Sequence, residues 1–151
     1  MCGHCDAAAL TGAAGLKATP ARLRVLRAVL DAGEAMTPPA LLERLRAGGA
    51  MDKVTLYRNL DALHAAGLIT RHEAGDGSVR YCPAGPAHPD HHHFYCLNCH
   101  RLLCLQPDAV QVGTRVPGVE HVSVRLEGTC PSCREGADIP VFHCRDAARG
   151  V

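Results

Sequence analysis

The sequence predicts an α+β fold in two lobes. Three observations support this: three apolar helical patterns in the first half, a hairpin signal after them, and two Cys-x-x-Cys pairs in the last third. A segment rich in proline lies between the helical half and the cysteine pairs. We therefore predict one domain over residues 1–83, a hinge over 84–93 and a small α/β domain over 94–151.

Three short helices are predicted in the first lobe. Thr19 and Thr37 each precede a proline, which places a capping hydroxyl before the residue type that suits the first helical position. Leucines then recur at steps of three and four residues until glycine ends each pattern. The third helix begins near Asp52 and ends at Gly67, a residue suited to a C-cap. Residues 1–15 are predicted to be a tail or an extra helix.

The periodicity changes after the third helix. Residues 68–74 and 78–82 read as short strands on either side of the turn sequence Gly75-Asp76-Gly77, which indicates a β-hairpin. Three short helices followed by a hairpin form the winged-helix arrangement, a variant of the helix-turn-helix. In the second lobe we expect strands at 91–96 and 101–105, a short helix over 108–116, and a strand over 119–126.

Four cysteines of the second lobe have the spacing of a structural zinc site. Cys96 and Cys99 form one thiol pair, and Cys130 and Cys133 form another. Four thiolates complete a tetrahedral zinc shell and leave no position for water or substrate. We predict one structural zinc ion per chain there. A histidine cluster just before the first pair suggests a second kind of metal chemistry; its members are His88, His91, His92 and His93.

Composition narrows the class of protein. The chain has 16 Lys and Arg against 15 Asp and Glu, so any nucleic-acid role must depend on local placement of charge. Nine cysteines interleaved with histidines, and no visible secretory signal, favour metal ligation in a reducing cytoplasm over a disulfide scaffold. No apolar stretch predicts a membrane span. Cys2, His4 and Cys5 are interpreted as part of a loose tail, and His143 and Cys144 carry little signal.

The third predicted helix carries side chains suited to DNA. In a winged helix this helix enters the major groove. If its leucines face the core, the outer surface carries Thr55, Tyr57, Arg58 and Asn59. Arginine and asparagine read base edges, whereas tyrosine and threonine bind phosphate or contact thymine methyl groups. Arg22 is a further candidate for phosphate contact. A merely solvated helix face fits the same residues, and this segment alone leaves both interpretations open.

From Thr19 onward the chain resembles the ferric uptake regulator (Fur) superfamily of bacterial metal sensors. The resemblance follows the family's order and spacing over most of the chain. It rests on Thr19-Pro20-Ala21-Arg22, Val54-Thr55-Leu56-Tyr57-Arg58-Asn59-Leu60, Gly67-Leu68-Ile69, the histidine-rich stretch ending in Cys96-x-x-Cys99, and Glu127-Gly128-Thr129-Cys130-Pro131-Ser132-Cys133. The resemblance implies a winged-helix DNA-binding domain, an α/β dimerisation domain and a homodimeric repressor that binds a double-stranded, palindromic, AT-rich operator. It places Tyr57 and Arg58 where the family contacts DNA.

The resemblance also implies a regulatory zinc site, one per subunit, with ligands from both lobes. Its candidates are His72, Cys82, His91 and His93. Iron-sensing relatives usually have a carboxylate where Cys82 stands, so the thiol favours the zinc uptake regulator (Zur) branch. Cys104 is either a fifth or substitute ligand or a buried strand thiol. A third site would combine Asp90, His92 and His121, but Gln111 stands where an acidic partner is expected.

Three other functions remain as alternatives. The first is a sensor of iron, manganese, nickel or peroxide within the same superfamily. The second is a zinc-ribbon interaction module that does not bind DNA. The third, a zinc hydrolase or deaminase, is disfavoured because the sequence lacks a His-x-Glu partner to a cysteine pair and a His-Glu-x-x-His helix. We therefore expect neither an enzyme nor a small-molecule substrate.

Overall fold

The structure, a computed structural model, describes residues 6–85, 88, 91–135 and 139–140. Its elements run in the order α1 (Ala7–Ala13), α2 (Pro20–Asp31), β1 (Glu34–Ala35), α3 (Pro38–Ala47), α4 (Lys53–Ala65), β2 (Ile69–Glu73), β3 (Val79–Pro83), β4 (His93–Cys96), β5 (Leu102–Cys104) and β6 (Arg125–Gly128). A 3-10 turn over Pro107–Ala109 lies between β5 and β6. The predictions about Cys2, His4, Cys5, Asp90, His143 and Cys144 lie outside the described residues.

The first lobe is a winged helix whose helices begin at the predicted caps. The side chain of Thr19 accepts a hydrogen bond from the Arg22 amide, Thr37 accepts one from Ala40, and Asp52 accepts one from Thr55 at 2.8 Å. These bonds satisfy amide groups that the first helical turn leaves unpaired. The helices pack through one apolar core that includes fully buried leucines of α2, α3 and α4. β2 and β3 form the antiparallel hairpin of the wing.

The second lobe is built on a four-stranded sheet in the order β1-β5-β4-β6. β5 pairs antiparallel with β4, and β6 pairs parallel with β4. The edge strand β1 comes from the first lobe: Glu34 pairs with Leu103 and Ala35 with Leu102. The next residue, Met36, forms an isolated bridge with Tyr81 of the wing. The segment from β1 to Met36 therefore hydrogen-bonds to both lobes, which the sequence did not indicate.

Two predicted elements of the second lobe are wrong in extent. The expected helix over 108–116 is only the turn at Pro107–Ala109, because valine, threonine and glycine in the following segment are poor helix formers. The expected strand over 119–126 is β6, which begins at Arg125. The β4–β6 register begins with Arg125 opposite His93, the first residue of β4, and the Val124 carbonyl before it accepts from the His93 amide at 3.1 Å.

Candidate metal centres and nucleic-acid interface

The first candidate metal centre lies between the two lobes. It is formed by one potential ligand atom from each of four buried residues, all within 4.8 Å of one another: Cys82, His91, His93 and Cys104. The Cys82 sulfur lies 3.6 Å from Nε2 of His93. We call these four residues the interlobe cluster. The cluster could hold one metal ion in contact with both lobes.

Strand geometry brings these side chains together. His93 is directly opposite Cys104 in the antiparallel β4–β5 pair, so both side chains lie on one face of the sheet. His91 is two residues earlier and points the same way, with its ring centroid 4.8 Å from that of His93. Cys82 reaches the cluster from β3 of the wing. The sequence left the role of Cys104 open, and the structure places its sulfur inside the cluster.

His72 lies beside the interlobe cluster, but it does not belong to the group of four ligand atoms that lie within 4.8 Å of one another. In the β2–β3 register Thr70 is opposite Cys82 and His72 is opposite Arg80, so His72 and Cys82 are diagonal neighbours on one face. The His72 ring centroid is 4.3 Å from that of His93. His72 also lines a cleft of about 120 Å³, together with His88, His91 and His121.

Hydrogen bonds from neighbouring side chains favour a thiolate in the interlobe cluster. The pKa of Cys82 is lowered, and the largest cause is a hydrogen bond from the Cys104 thiol to the Cys82 sulfur. Burial acts in the opposite direction and raises this pKa, whereas hydrogen bonds with three histidines lower it further. The same hydrogen bond, followed by burial, raises the pKa of Cys104. Burial lowers the pKa of His93 and keeps its imidazole neutral. Thiolate and neutral imidazole are the protonation states that bind metal, and two sulfurs with two nitrogens suit zinc.

The second candidate centre joins the two cysteine knuckles of the second lobe. The sulfur atoms of Cys96, Cys99, Cys130 and Cys133 all lie within 4.8 Å of one another. The sulfur atoms of Cys99 and Cys130 are 3.7 Å apart. The Cys96 sulfur accepts hydrogen bonds from the amides of Cys99 and Cys130, at 3.4 and 3.3 Å. We call this group the four-cysteine cluster.

The protonation of the four-cysteine cluster also indicates a cation site. Burial raises the pKa of Cys96, but the backbone amides directed at its sulfur outweigh burial and lower that pKa to about 5. Burial, followed by the neighbouring sulfurs, raises the pKa of Cys99 to about 12. Four thiolates this close repel one another, so they ionise together only beside a cation. An all-sulfur set of four fits a zinc ion with no open coordination position.

The candidate DNA surface is smaller than the sequence predicted. Tyr57 and Arg58 are exposed on α4, and Lys53 lies 5.8 Å from the centre of the Tyr57 ring. Thr55 is half-buried, and its hydroxyl donates to Asp52 at 2.6 Å.

The expectation that Asn59 lies on the outer surface of α4 is wrong. Its side chain is buried, donates to the Thr55 carbonyl at 2.9 Å and accepts from Nε of Arg22 at 3.2 Å. Arg22 also donates to the Lys17 carbonyl, so both side chains are occupied within the protein. The leucine pattern did not reveal this, because Asn59 adjoins the buried leucine Leu60 at the edge of the apolar stripe.

Two ligand residues expected around a third site, His92 and His121, are described, as is Gln111, whereas Asp90 lies outside the described residues. Nδ1 of His92 accepts a hydrogen bond from the Val124 amide at 3.0 Å, so this nitrogen is used within the second lobe. Gln111 is exposed, and His121 lines the cleft beside His72. Among the residues that the structure describes, the two clusters above are the groups with metal-ligand spacing.

The fold and the two clusters define a two-lobed protein with a winged helix and two candidate metal centres. The sequence profile of the Ferric uptake regulator family matches residues 13–127. The chain therefore belongs to this family, whose members are metal-responsive transcription regulators rather than enzymes. No helix within the described residues is long and apolar enough to cross a membrane.

Individual relatives agree with the family assignment. The chain is 29% identical over 132 residues to the ferric uptake regulation protein of Escherichia coli K12, covering 81% of this chain and 88% of the relative. The structure resembles the Vibrio cholerae ferric uptake regulator with a TM-score of 0.63 and 25% identity, over 83% of this chain and all (100%) of that one. It also resembles a zinc-bound manganese uptake regulator with a TM-score of 0.65 and 24% identity, over 82% and 98% of the two chains.

Proposed function

We propose that this protein is a zinc-responsive transcriptional repressor of the Zur type. One observation carries the proposal: the donors of the interlobe cluster come from both lobes. Cys82 lies on β3 of the wing, whereas His93 and Cys104 lie on β4 and β5 and His91 lies just before β4. A metal ion bound there links the DNA-reading lobe to the rest of the protein. Binding at this position therefore changes the angle between the lobes.

The donor set supports zinc as the sensed metal. Two thiols and two imidazoles match the borderline-soft preference of zinc, whereas manganese and ferrous iron favour sites with carboxylate oxygen. Carboxylates are absent from the four residues of the interlobe cluster. The four-cysteine cluster is proposed to hold a second, structural zinc in each subunit.

The proposed mechanism uses each part of the chain for a separate task. Residues 1–83 bind DNA, residues 84–93 act as a hinge, and residues 94–151 form a homodimer in the cytoplasm. Zinc at the interlobe cluster favours one lobe arrangement, in which the two copies of α4 match adjacent half-sites of a palindromic, AT-rich operator. Tyr57 and Arg58 contact the DNA, and the bound dimer blocks transcription.

The test is operator binding across buffered zinc concentrations. A binding sequence is first selected from a random duplex pool with zinc-loaded protein, and affinity is then followed by fluorescence anisotropy. We expect affinity to rise as zinc fills the interlobe cluster, and to fall in the Tyr57→Ala and Arg58→Ala variants. Arg115→Ala, an exposed arginine of the second lobe, is the matched control and keeps wild-type affinity. An operator affinity independent of zinc would refute the sensor function.

The same assay separates the alternatives. Tighter DNA binding with iron or manganese than with zinc would indicate a different sensor of the same family. If folded protein selects no DNA duplex at any metal concentration, the protein would instead be a zinc-ribbon interaction module.

A further inference from the structure

The interlobe cluster contains two thiols that belong to different lobes. Cys82 lies on β3 of the wing and Cys104 on β5 of the second sheet, 22 positions later in the sequence. Both side chains are buried, and their sulfur atoms lie within 4.8 Å of each other. The proposed function uses them as metal donors and assigns no chemistry to the pair itself.

We propose that Cys82 and Cys104 form a disulfide between the lobes when hydrogen peroxide reaches the zinc-free cluster. The Cys82 sulfur attacks one peroxide oxygen, the O–O bond breaks and one water leaves, which gives a sulfenic acid at Cys82. The Cys104 sulfur then attacks the Cys82 sulfur, the S–O bond breaks and a second water leaves. Two thiols thus lose two hydrogens and two electrons, and one hydrogen peroxide is reduced to two waters.

The two sulfur atoms are already close to each other. A disulfide has an S–S distance of about 2.05 Å, so the two sulfurs need to approach by at most about 2.8 Å. The strands that carry them are held in place, because Cys104 is paired with His93 on β4 and Tyr81, next to Cys82, is bridged to Met36.

A cleft large enough for a small oxidant lies next to the pair. It has a volume of about 120 Å³, its lining includes His72 and His91, and both of these side chains hydrogen-bond to Cys82. A water molecule occupies roughly 30 Å³ of liquid, so the cleft has room for a molecule the size of hydrogen peroxide.

The bond would consume two of the four donors of the interlobe cluster. Zinc and the disulfide therefore exclude each other, and oxidation of the zinc-free cluster would prevent zinc from binding there again. The crosslink itself depends only on geometry; its meaning as a second input to repression rests on the proposed function.

The four-cysteine cluster offers a competing pair, since the sulfurs of Cys99 and Cys130 are 3.7 Å apart. Four thiolates hold zinc in a closed shell, whereas a sensing site must release its metal. We therefore expect the interlobe pair to react first when structural zinc is retained.

The test maps disulfides in the full chain by mass spectrometry. Protein stripped of interlobe zinc by mild chelation, with structural zinc retained, is treated with one equivalent of hydrogen peroxide and alkylated. Trypsin with chymotrypsin then separates Cys82 (residues 82–94) from the first knuckle (96–101) and from the peptide holding Cys104. We expect a reducible crosslink between the Cys82 peptide and the Cys104 peptide. The crosslink should be absent when zinc is reloaded before oxidation.

Two variants control the assignment. In Cys104→Ser the crosslink disappears and a sulfenic acid at Cys82 becomes trappable by dimedone, whereas His64→Gln, which changes a histidine of α4 outside both clusters, keeps the crosslink. A crosslink of Cys99 to Cys130 with Cys82 still free to alkylate would overturn the proposal, as would recovery of all thiols. Because the readout is a mass, its failure is distinct from a failure of zinc-dependent DNA binding.

Discussion

Replacing Cys104 is predicted to weaken interlobe zinc binding more than replacing His72. The Cys104 sulfur lies with the other three donors inside 4.8 Å, whereas His72 lies outside that group. Zinc binding to a four-donor site is worth about 10–16 kcal/mol, or about 2.5–4 kcal/mol per donor. Cys104→Ser should therefore raise the zinc dissociation constant by about 60-fold to 700-fold. His72→Gln removes a neighbour of the cluster and should raise it by about 10-fold to 100-fold.

The dissociation constants are measured by competition with a chromophoric zinc chelator, on protein whose structural zinc is retained. His64→Gln is the matched control, because this histidine lies on α4 and its ring contacts the Ile69 carbonyl. Its variant should bind zinc as the wild type does. A larger effect of His72→Gln than of Cys104→Ser would refute the ordering. The donors would then be His72 with Cys82, His91 and His93, and Cys104 would be a buried strand thiol.

Two further predictions concern stability. Cys96→Ser should lose one zinc ion per chain and loosen the second lobe, measured by elemental analysis and thermal unfolding; a variant that kept its dimer and its tightly bound zinc would contradict the structural role. Asn59→Ala should lower the free energy of unfolding by about 1–3 kcal/mol, because it removes the Asn59 side-chain oxygen that accepts from Nε of Arg22. For a chain of this size that lowers Tm by roughly 2–12 °C, whereas exposed Arg58→Ala changes it little. Weakened DNA binding with an unchanged Tm would instead assign Asn59 to the DNA surface.

Elements defined by local chemistry were predictable from the sequence. The starts of α2, α3 and α4 follow from a capping side chain at Thr19, Thr37 and Asp52, and each cap makes its expected hydrogen bond. The wing follows from alternating residues around a turn with two glycines. Cys-x-x-Cys spacing likewise brings the two sulfurs of each pair together, because each pair needs only one tight turn. The pairing of β4 with β6 then places the two pairs side by side.

Features that depend on distant partners were not predictable. β1 is two residues long and exists because β5 offers it a pairing edge, in which Ala35 is opposite Leu102, 67 positions later, and Glu34 is opposite Leu103, 69 positions later. The position of Cys104 in the interlobe cluster depends on the β4–β5 register, which a single sequence does not define. Asn59 was misplaced because its burial is stabilised by Arg22 on another helix, 37 positions away.

Zinc would not be the only link between the lobes, so a sensor function requires the other links to be weak. β1 contributes only two residues, and the Glu34–Arg101 ion pair is partly exposed, with side chains 21% and 45% accessible, a class worth about 0–1 kcal/mol. The lobes also share a small buried cluster made of Ala35, Ala74, Cys82, Tyr95, Leu102 and Cys104.

That cluster has only two large side chains, and two of its members are the proposed zinc donors. Full burial of two large side chains is worth at most about 3–6 kcal/mol, which is of the same order as the roughly 5.5 kcal/mol that moves a two-state equilibrium from 1:99 to 99:1. Cys82 is the donor on the wing and leaves the other three when the wing moves, so zinc favours the joined lobes by about 2.5–4 kcal/mol, a shift of about 60-fold to 700-fold. A shift of this size acts as a switch only when the zinc-free lobes are almost as stable apart as together.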